Sequence, residues 1–347
     1  MADTPALRLV HRPGRPLRGR PSRVGLAGVL DRLDRTGTWT DVPGEAAERG
    51  FRWDDRDVET RWWFPQGATA RLDPADASDA GASSGRPVLL TSWYGHGGLG
   101  YLLLGSRISV VDLEPEAAPR YAHVRLVEER RLAGVPGLRR VPVHAGGLAW
   151  YGDHLFVAAS GGGLRIFRLG DVQRLRSRLR GRGARHVLPQ TGAYEAQADT
   201  GERGMVYSFL SLERGADTDH LVAGEYGRKG TGRHRLVRFP LDRSTGLLSV
   251  DADGVARPVD VADGVPRMQG AAVVDGTWFV TASSGEGNPG DLWVGRPGEL
   301  VRHRGVLPTG PEDITSWPGT DRLWSSTEWP GRRWVFRIDA TRWSHHR

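Results

Sequence analysis

One short unit recurs along this 347-residue chain, and it constrains the fold more than any other feature. It is a strand that ends on a small or polar residue and then a glycine. The copies begin at Val88, Leu155, Leu221, Trp278 and Leu323 and close on Gly95, Gly161, Gly227, Gly285 and Gly331. Each is rich in β-branched and aromatic residues and bounded by turn formers, the pattern of a strand. A shorter strand precedes each copy, at Gln66–Thr69, Gly146–Ala149, Ser208–Ser211, Gln269–Ala272 and Glu312–Thr315. Hairpin signals join several of these pairs, as at Asp275-Gly276 and Pro318-Gly319. A third strand follows, as at Arg107–Asp112 and Arg333–Asp339, and a weaker fourth at 122–127, 186–188, 256–261 and 300–306.

Four short antiparallel strands per unit, repeated with drifting sequence, predict an all-β fold, a β-propeller. The 48 Gly and 22 Pro agree, because many short elements need many tight turns. Markers at 67, 147, 209, 270 and 313 favour five blades, with six as the alternative. The last unit runs out after its third strand, so a strand from the N-terminal region must close it. The predicted organisation is residues 1–63 as an extension with a closing strand and a short helix, 64–339 as propeller, and 340–347 as a tail. Leu26, Val29, Leu30 and Leu33 carry the spacing of the helix.

Inner strands of a propeller converge on its axis, so their starts mark the candidate site. These positions are polar: Gln66, His144, Ser208, Gln269, Glu312 and Asp313, with Ser92, Glu225 and Glu328 on the following strands. Trp93 is among several aromatic residues expected near the same mouth and able to offer a platform. The expected ligand-binding set is Gln66, Ser92, Trp93, Ser208, Gln269, Glu312 and Asp313. For catalysis, His144 with one of Glu225, Glu312 or Glu328 would act as acid and base.

The leading functional reading is a propeller that binds a small polar or sugar-like molecule at its channel mouth. The alternatives are a hydrolase, lyase or cyclase using a His/carboxylate pair there, and a protein-protein interaction platform. No dedicated metal ligand set stands out, though a hard cation such as calcium could use Glu312, Asp313, Glu225 and main-chain oxygens. No Gly-x-Ser-x-Gly elbow in the strand-turn-helix setting of many serine hydrolases stands out, so acyl transfer by that route is not expected.

The net charge of +7 does not imply nucleic acid. Lys229 is the one lysine, and the arginines are scattered among nearly as many acids rather than gathered in a stripe. The densest run, Arg174 to Arg185, has no interleaved aromatics for base stacking. Nucleic-acid and membrane partners are therefore not expected, and a monomer is. Cysteine is absent, which removes disulfides and thiolate chemistry. The start of the sequence lacks the apolar core of a secretory signal, so the chain reads as cytoplasmic, or as secreted if a signal was trimmed.

Phe64-Pro-Gln-Gly67, Ser92-Trp-Tyr94, His144-Ala-Gly-Gly147, Gly224-Glu-Tyr226, Met268-Gln-Gly270 and Pro311-Glu-Asp313 resemble, in order, a family of actinobacterial β-propeller proteins described as secreted. That resemblance spans roughly residues 51–339 and implies the fold without a settled activity. Phe64-Pro-Gln-Gly67 with its following Tyr-Gly strand is also similar to the first blade of five-bladed glutaminyl cyclases, over one blade only.

Overall fold

The computed structural model describes residues 7–14, 22–71, 86–114, 117–132, 135–160, 162–175, 185–198, 204–232 and 234–344. Five antiparallel meanders follow one another. The first consists of Trp63–Arg71, Val88–Gly95, Ser106–Asp112 and Arg120–Leu132. The second is Leu148–Tyr151, His154–Ala158, Leu164–Arg168 and His186–Gln197, and the third is Phe209–Glu213, His220–Gly224, Arg235–Asp242 and Asp260–Asp263. The fourth is Met268–Val274, Thr277–Ala282, Pro289–Gly295 and Val301–Thr309.

The fifth meander supplies Pro311–Ser316, Arg322–Thr327 and Trp334–Asp339, and its fourth strand comes from the other end of the chain. Arg49–Arg52 pairs antiparallel with Trp334–Asp339, and Thr38–Asp41 pairs outside it. The edge that the sequence leaves open is thereby hydrogen-bonded. The five first strands touch in a closed ring, each against the next and the fifth against the first.

Glycine explains how the ring closes so tightly. A Cβ on Gly67 would lie 2.7 Å from the backbone of Gly147, and one on Gly147 would lie 2.0 Å from Leu210 N. One on Gly270 would lie 2.6 Å from Asp313 Cα. The sequence markers of the repeat are therefore places where one inner strand rests against the backbone of the next. Large aromatics fill the wider space between blades. Trp53 packs edge-on against Phe51, Trp93 and Tyr121 at 4.8–5.1 Å between the last blade and the first.

Three expectations need correction. The reading of residues 1–63 names one closing strand, and among the described residues a second strand pairs elsewhere: Arg8–Pro13 adds to the outer edge of the second blade through residues 192–197. The helix Gly25–Leu30 buries Leu26, Val29 and Leu30 against the first two blades, while Arg49–Arg52 closes the fifth. The third blade's outer strand is Asp260–Asp263, and Val255–Ala256 pairs instead with Arg8–Pro13. Finally, 340–347 is not wholly a tail, since Ala340–Ser344 is helical and buries Ala340 and Trp343. The apolar residue inside that short turn gives it a core contact that its charge had hidden. Most of the arginine run, residues 176–184, lies outside the described residues, as do His345 and His346.

Candidate functional site

The first strands start at one mouth of the ring, where acidic, amide and aromatic side chains form a cluster, called the cup below. Gln66 and Glu312 are buried in it, 3% and 2% exposed. Glu312 shares a side-chain hydrogen bond with Glu328. Each carboxyl also takes an amide: Gln66 Nε2 donates to Glu328 Oε2 at 3.3 Å, and Gln269 Nε2 donates to Glu312 Oε1 at 3.2 Å. Two carboxyl groups in contact cannot both ionise, so one proton is held between them. Burial and the neighbouring Glu328 and Asp313 charges push Glu312 well above the usual carboxylate range. Burial pushes Glu328 up to about 7, against hydrogen bonds from Glu312 and Gln66 and the nearby Arg333 guanidinium.

Rings make one wall. Phe64 stacks on His96 at 4.1 Å, and Tyr94 lies 4.1 Å from His144, with its hydroxyl 3.2 Å from His96 Nδ1. Tyr94 borders the carboxyl pair, because the Glu328 and Glu312 charges add to burial in raising its pKa. Burial, with His96 nearby, lowers His144 to about 4, so its imidazole is neutral near pH 7. Among the described residues no carboxylate hydrogen-bonds to it. Trp329 reaches the same wall edge-on to Phe64 at 6.2 Å, and Gly310 is required behind it. A Cβ there would sit 2.2 Å from the indole at a φ of +68°.

Other predicted positions have structural work instead. Asp313 is fully buried and spends its oxygens on three main-chain donors: Ala68 N at 3.2 Å, Leu148 N at 3.3 Å and Ile314 N at 3.0 Å. It knits the fifth, first and second blades at the axis and has no surface toward the cup. Ser92 Oγ donates to Ala145 O at 2.5 Å and accepts from Gly67 N at 2.8 Å, a buried tie between the first strands. Trp93 is fully buried, its indole donating to Ser109 Oγ at 2.7 Å, so it is no platform. Ser208 Oγ accepts from Tyr226 N at 2.9 Å and holds a turn.

Glu225 is likewise not poised as an acid or base. It is fully buried, takes two bonds of 2.8 Å from the Arg235 guanidinium and caps Val206 N at 2.9 Å. Burial alone would raise its pKa, but these donors outweigh it and hold the group low. With Glu225 committed to Arg235, the calcium set of Glu225, Glu312 and Asp313 loses its geometric basis. Among the described residues no three His, Asp or Glu side chains converge as metal ligands.

A Ser-His-Asp constellation does occur, away from the cup. Ser109 Oγ is 3.0 Å from His123 Nδ1, and His123 Nε2 is 2.8 Å from Asp57 Oδ2. Tyr121 and Arg107 also donate to Asp57, at 2.7 Å and 2.8 Å. Ser109 is fully buried and already accepts from Trp93, so no substrate carbonyl can reach its hydroxyl. This is a packed polar network rather than a nucleophile site. The sequence had no means of pairing Asp57 with His123, because they meet only after the seam closes. Arg333 is another residue the sequence reading missed. Fully buried, it spans from Glu328 O at 2.7 Å to Asp57 O at 2.8 Å and joins that network to the cup.

No family model matches the chain, and no curated protein does. Among solved structures it is similar to a GH43_1 enzyme from Xanthomonas citri complexed with xylotriose, at 11% identity and a TM-score of 0.38, covering 81% of this chain and 88% of that one. It is also similar to glutaminyl cyclase from Myxococcus xanthus, at 14% identity and a TM-score of 0.31, covering 67% and 85%. A third is a glucose dehydrogenase, at 14% identity and a TM-score of 0.38, covering 88% and 96%. These are distant likenesses to propeller proteins, at a level that says nothing about chemistry. The class to which the chain belongs is therefore stated by its own strands, an all-β fold with a few short helices.

Proposed function

We propose that the cup binds a small, polyhydroxylated, sugar-like molecule. The observation that carries this reading is the pair of amide–carboxyl contacts, Gln66–Glu328 at 3.3 Å and Gln269–Glu312 at 3.2 Å. Such a pair presents donors and acceptors side by side, which is what a hydroxyl-rich ligand needs. The rings of Tyr94, His144 and Trp329 supply the apolar face that a sugar ring also requires. The resemblance to secreted actinobacterial propellers is compatible with this role and adds no ligand of its own.

The test is a calorimetric screen against neutral mono- and oligosaccharides. A saturable hit that Gln269→Ala and Glu328→Gln each weaken about tenfold or more, with melting temperature retained, supports the proposal. A panel without any saturable hit, or a hit indifferent to both substitutions, sinks it.

A second reading is enzymatic, and one feature favours it: burial pushes Glu328 up to about 7, where a general acid is most useful. The His144–carboxylate pair no longer carries that reading. A glycosidase-type dyad fits poorly too, since it needs carboxyls about 5 Å or more apart and these two touch. If the cup turns over its ligand, Glu328→Gln should abolish product release while leaving some binding.

A further inference from the structure

A cleft of about 320 Å³ opens between the fifth and first blades and shares none of the cup's residues. One wall is a single face of the fifth blade. Trp324 pairs directly with Arg337 on the next strand. Glu48 N donates to Arg337 O at 2.8 Å, which continues the ladder beyond Phe336 and Gly50 and sets Arg337 beside Arg49. Trp39 follows on the outermost strand, with the Arg49 guanidinium 4.7 Å over its ring. Trp317 adds a third indole, 5.6 Å from Trp324 and tilted by 45°. Pro87 and Leu113 of the first blade make the other wall. We propose that this cleft binds a small planar aromatic carboxylate, with its ring against the indoles and its carboxylate on Arg49.

The sign of the ligand follows from the lining. Each ionic side chain there is a guanidinium, from Arg49, Arg322 or Arg337. Two of them are spent. Arg322 pairs with Asp339 at 2.5 Å and with Glu48 at 3.3 Å, and Arg337 Nε lies 3.9 Å from Glu48. Arg49 is different. It is exposed, and its side chain has no carboxylate or hydrogen-bond partner among the described residues; the Trp39 ring is what it rests on. A guanidinium on an indole face keeps its N–H groups for an acceptor, and a carboxylate matches that fork.

The ligand's shape follows from the same wall. Arg49 and Trp324 are two strand steps apart, roughly 10 Å, a span that a bicyclic acid bridges. The cleft is at the small end of pockets for such molecules, about 300–1,000 Å³. A cationic ligand would meet three like charges. A neutral sugar needs acceptors, and Thr320, the one hydroxyl in the lining, already donates to Trp317 O at 3.0 Å and accepts from Arg322 N at 3.2 Å.

The experiment titrates the full chain with 2-naphthoate by isothermal calorimetry. Beside it run 2-naphthalenemethanol, which keeps the ring without the charge, and cyclohexanecarboxylate, which keeps the charge without the aromatic plane. The variants are Arg49→Gln and, as control, Arg12→Gln, at an exposed 2.8 Å pair with Glu195 elsewhere on the surface. We expect saturable naphthoate binding, weakened at least tenfold by Arg49→Gln and unchanged in the control, with both variants melting like the parent. The alcohol and the saturated acid should each bind at least tenfold more weakly than naphthoate. Absence of saturable naphthoate binding overturns the proposal, as does naphthoate binding that Arg49→Gln leaves intact. An alcohol or a saturated acid that matches naphthoate overturns it too, and so does an equal loss in the control, which would mean general basicity. If Arg49→Gln melts early, Arg49→Met, which keeps a long stem over Trp39, must show the same loss or the proposal fails.

Discussion

Asp313 on the fifth inner strand and Leu148 on the second meet across the axis, the aspartate Oδ2 accepting the leucine N–H at 3.3 Å. Blades that are not neighbours in the ring are thereby in direct contact, and the same oxygen also takes Ala68 N. Burial pushes Asp313 well above the usual carboxylate range even though three main-chain N–H groups oppose the shift. Asp313→Ala would leave those donors unsatisfied, at about 1–3 kcal/mol each. We therefore expect a loss of at least about 3 kcal/mol in urea unfolding, and Asp313→Asn should lose less. An alanine variant as stable as the parent would contradict this.

The pH dependence of stability should contain two opposing slopes. Glu328, raised to about 7 when folded, and Glu312 and Asp313, both raised well above the usual carboxylate range, bind protons more tightly in the fold than in the unfolded chain. Their contribution is fully present below about pH 4.5 and is lost as pH rises through 7. His123 and His144, both lowered to about 4, act the other way. Their contribution is present above about pH 6.5 and is lost as pH falls toward 4. In the parent the two slopes oppose one another between pH 4.5 and 6.5. Glu312→Gln should remove much of the falling slope, so that stability rises across that window and exceeds the parent at pH 8.

Removing residues 1–53 takes away Arg49–Arg52 and Thr38–Asp41, and with them the outer strands of the fifth blade. It also removes Trp53 from its contacts with Trp93 and Tyr121. The truncated chain should lose its cooperative thermal transition. Differential scanning calorimetry checks this, and an unchanged melt would refute closure by the N-terminal strand.

Gly147→Ala should be among the most damaging single substitutions in the chain. Its Cβ would lie 2.0 Å from Leu210 N, a backbone atom that cannot swing away as a side chain can. Separating the inner strands at that point disturbs the whole ring. We expect a loss of several kcal/mol, beyond the usual range for point changes. Gly152→Ala is a useful contrast, because its Cβ meets nothing within 4 Å and only its φ of +54° resists substitution. The ratio of the two losses in urea unfolding separates packing from backbone strain.

The repeat itself was legible because strand period, turn residues and polar strand starts are local properties, written within a few residues of one another. So were the missing last strand and the helix at Leu26–Leu30, since an apolar stripe needs no partner to be recognised. Of the candidate site, Gln66 bonds to Glu328 and Gln269 to Glu312, while His144 packs on Tyr94. Ser92, Trp93, Ser208, Glu225 and Asp313 share their sequence signature yet serve as ties, packing or an ion pair. Which way such a side chain turns depends on neighbours from other blades: Arg235 for Glu225, Ser109 for Trp93, and the N–H groups of Ala68 and Leu148 for Asp313. The joining of Arg49–Arg52 to Trp334–Asp339 and the Asp57–His123 contact were likewise settled only by the ring. Periodicity fixes elements because their hydrogen bonds and faces repeat locally, whereas the ring decides burial and pairing because its contacts join residues up to 297 positions apart.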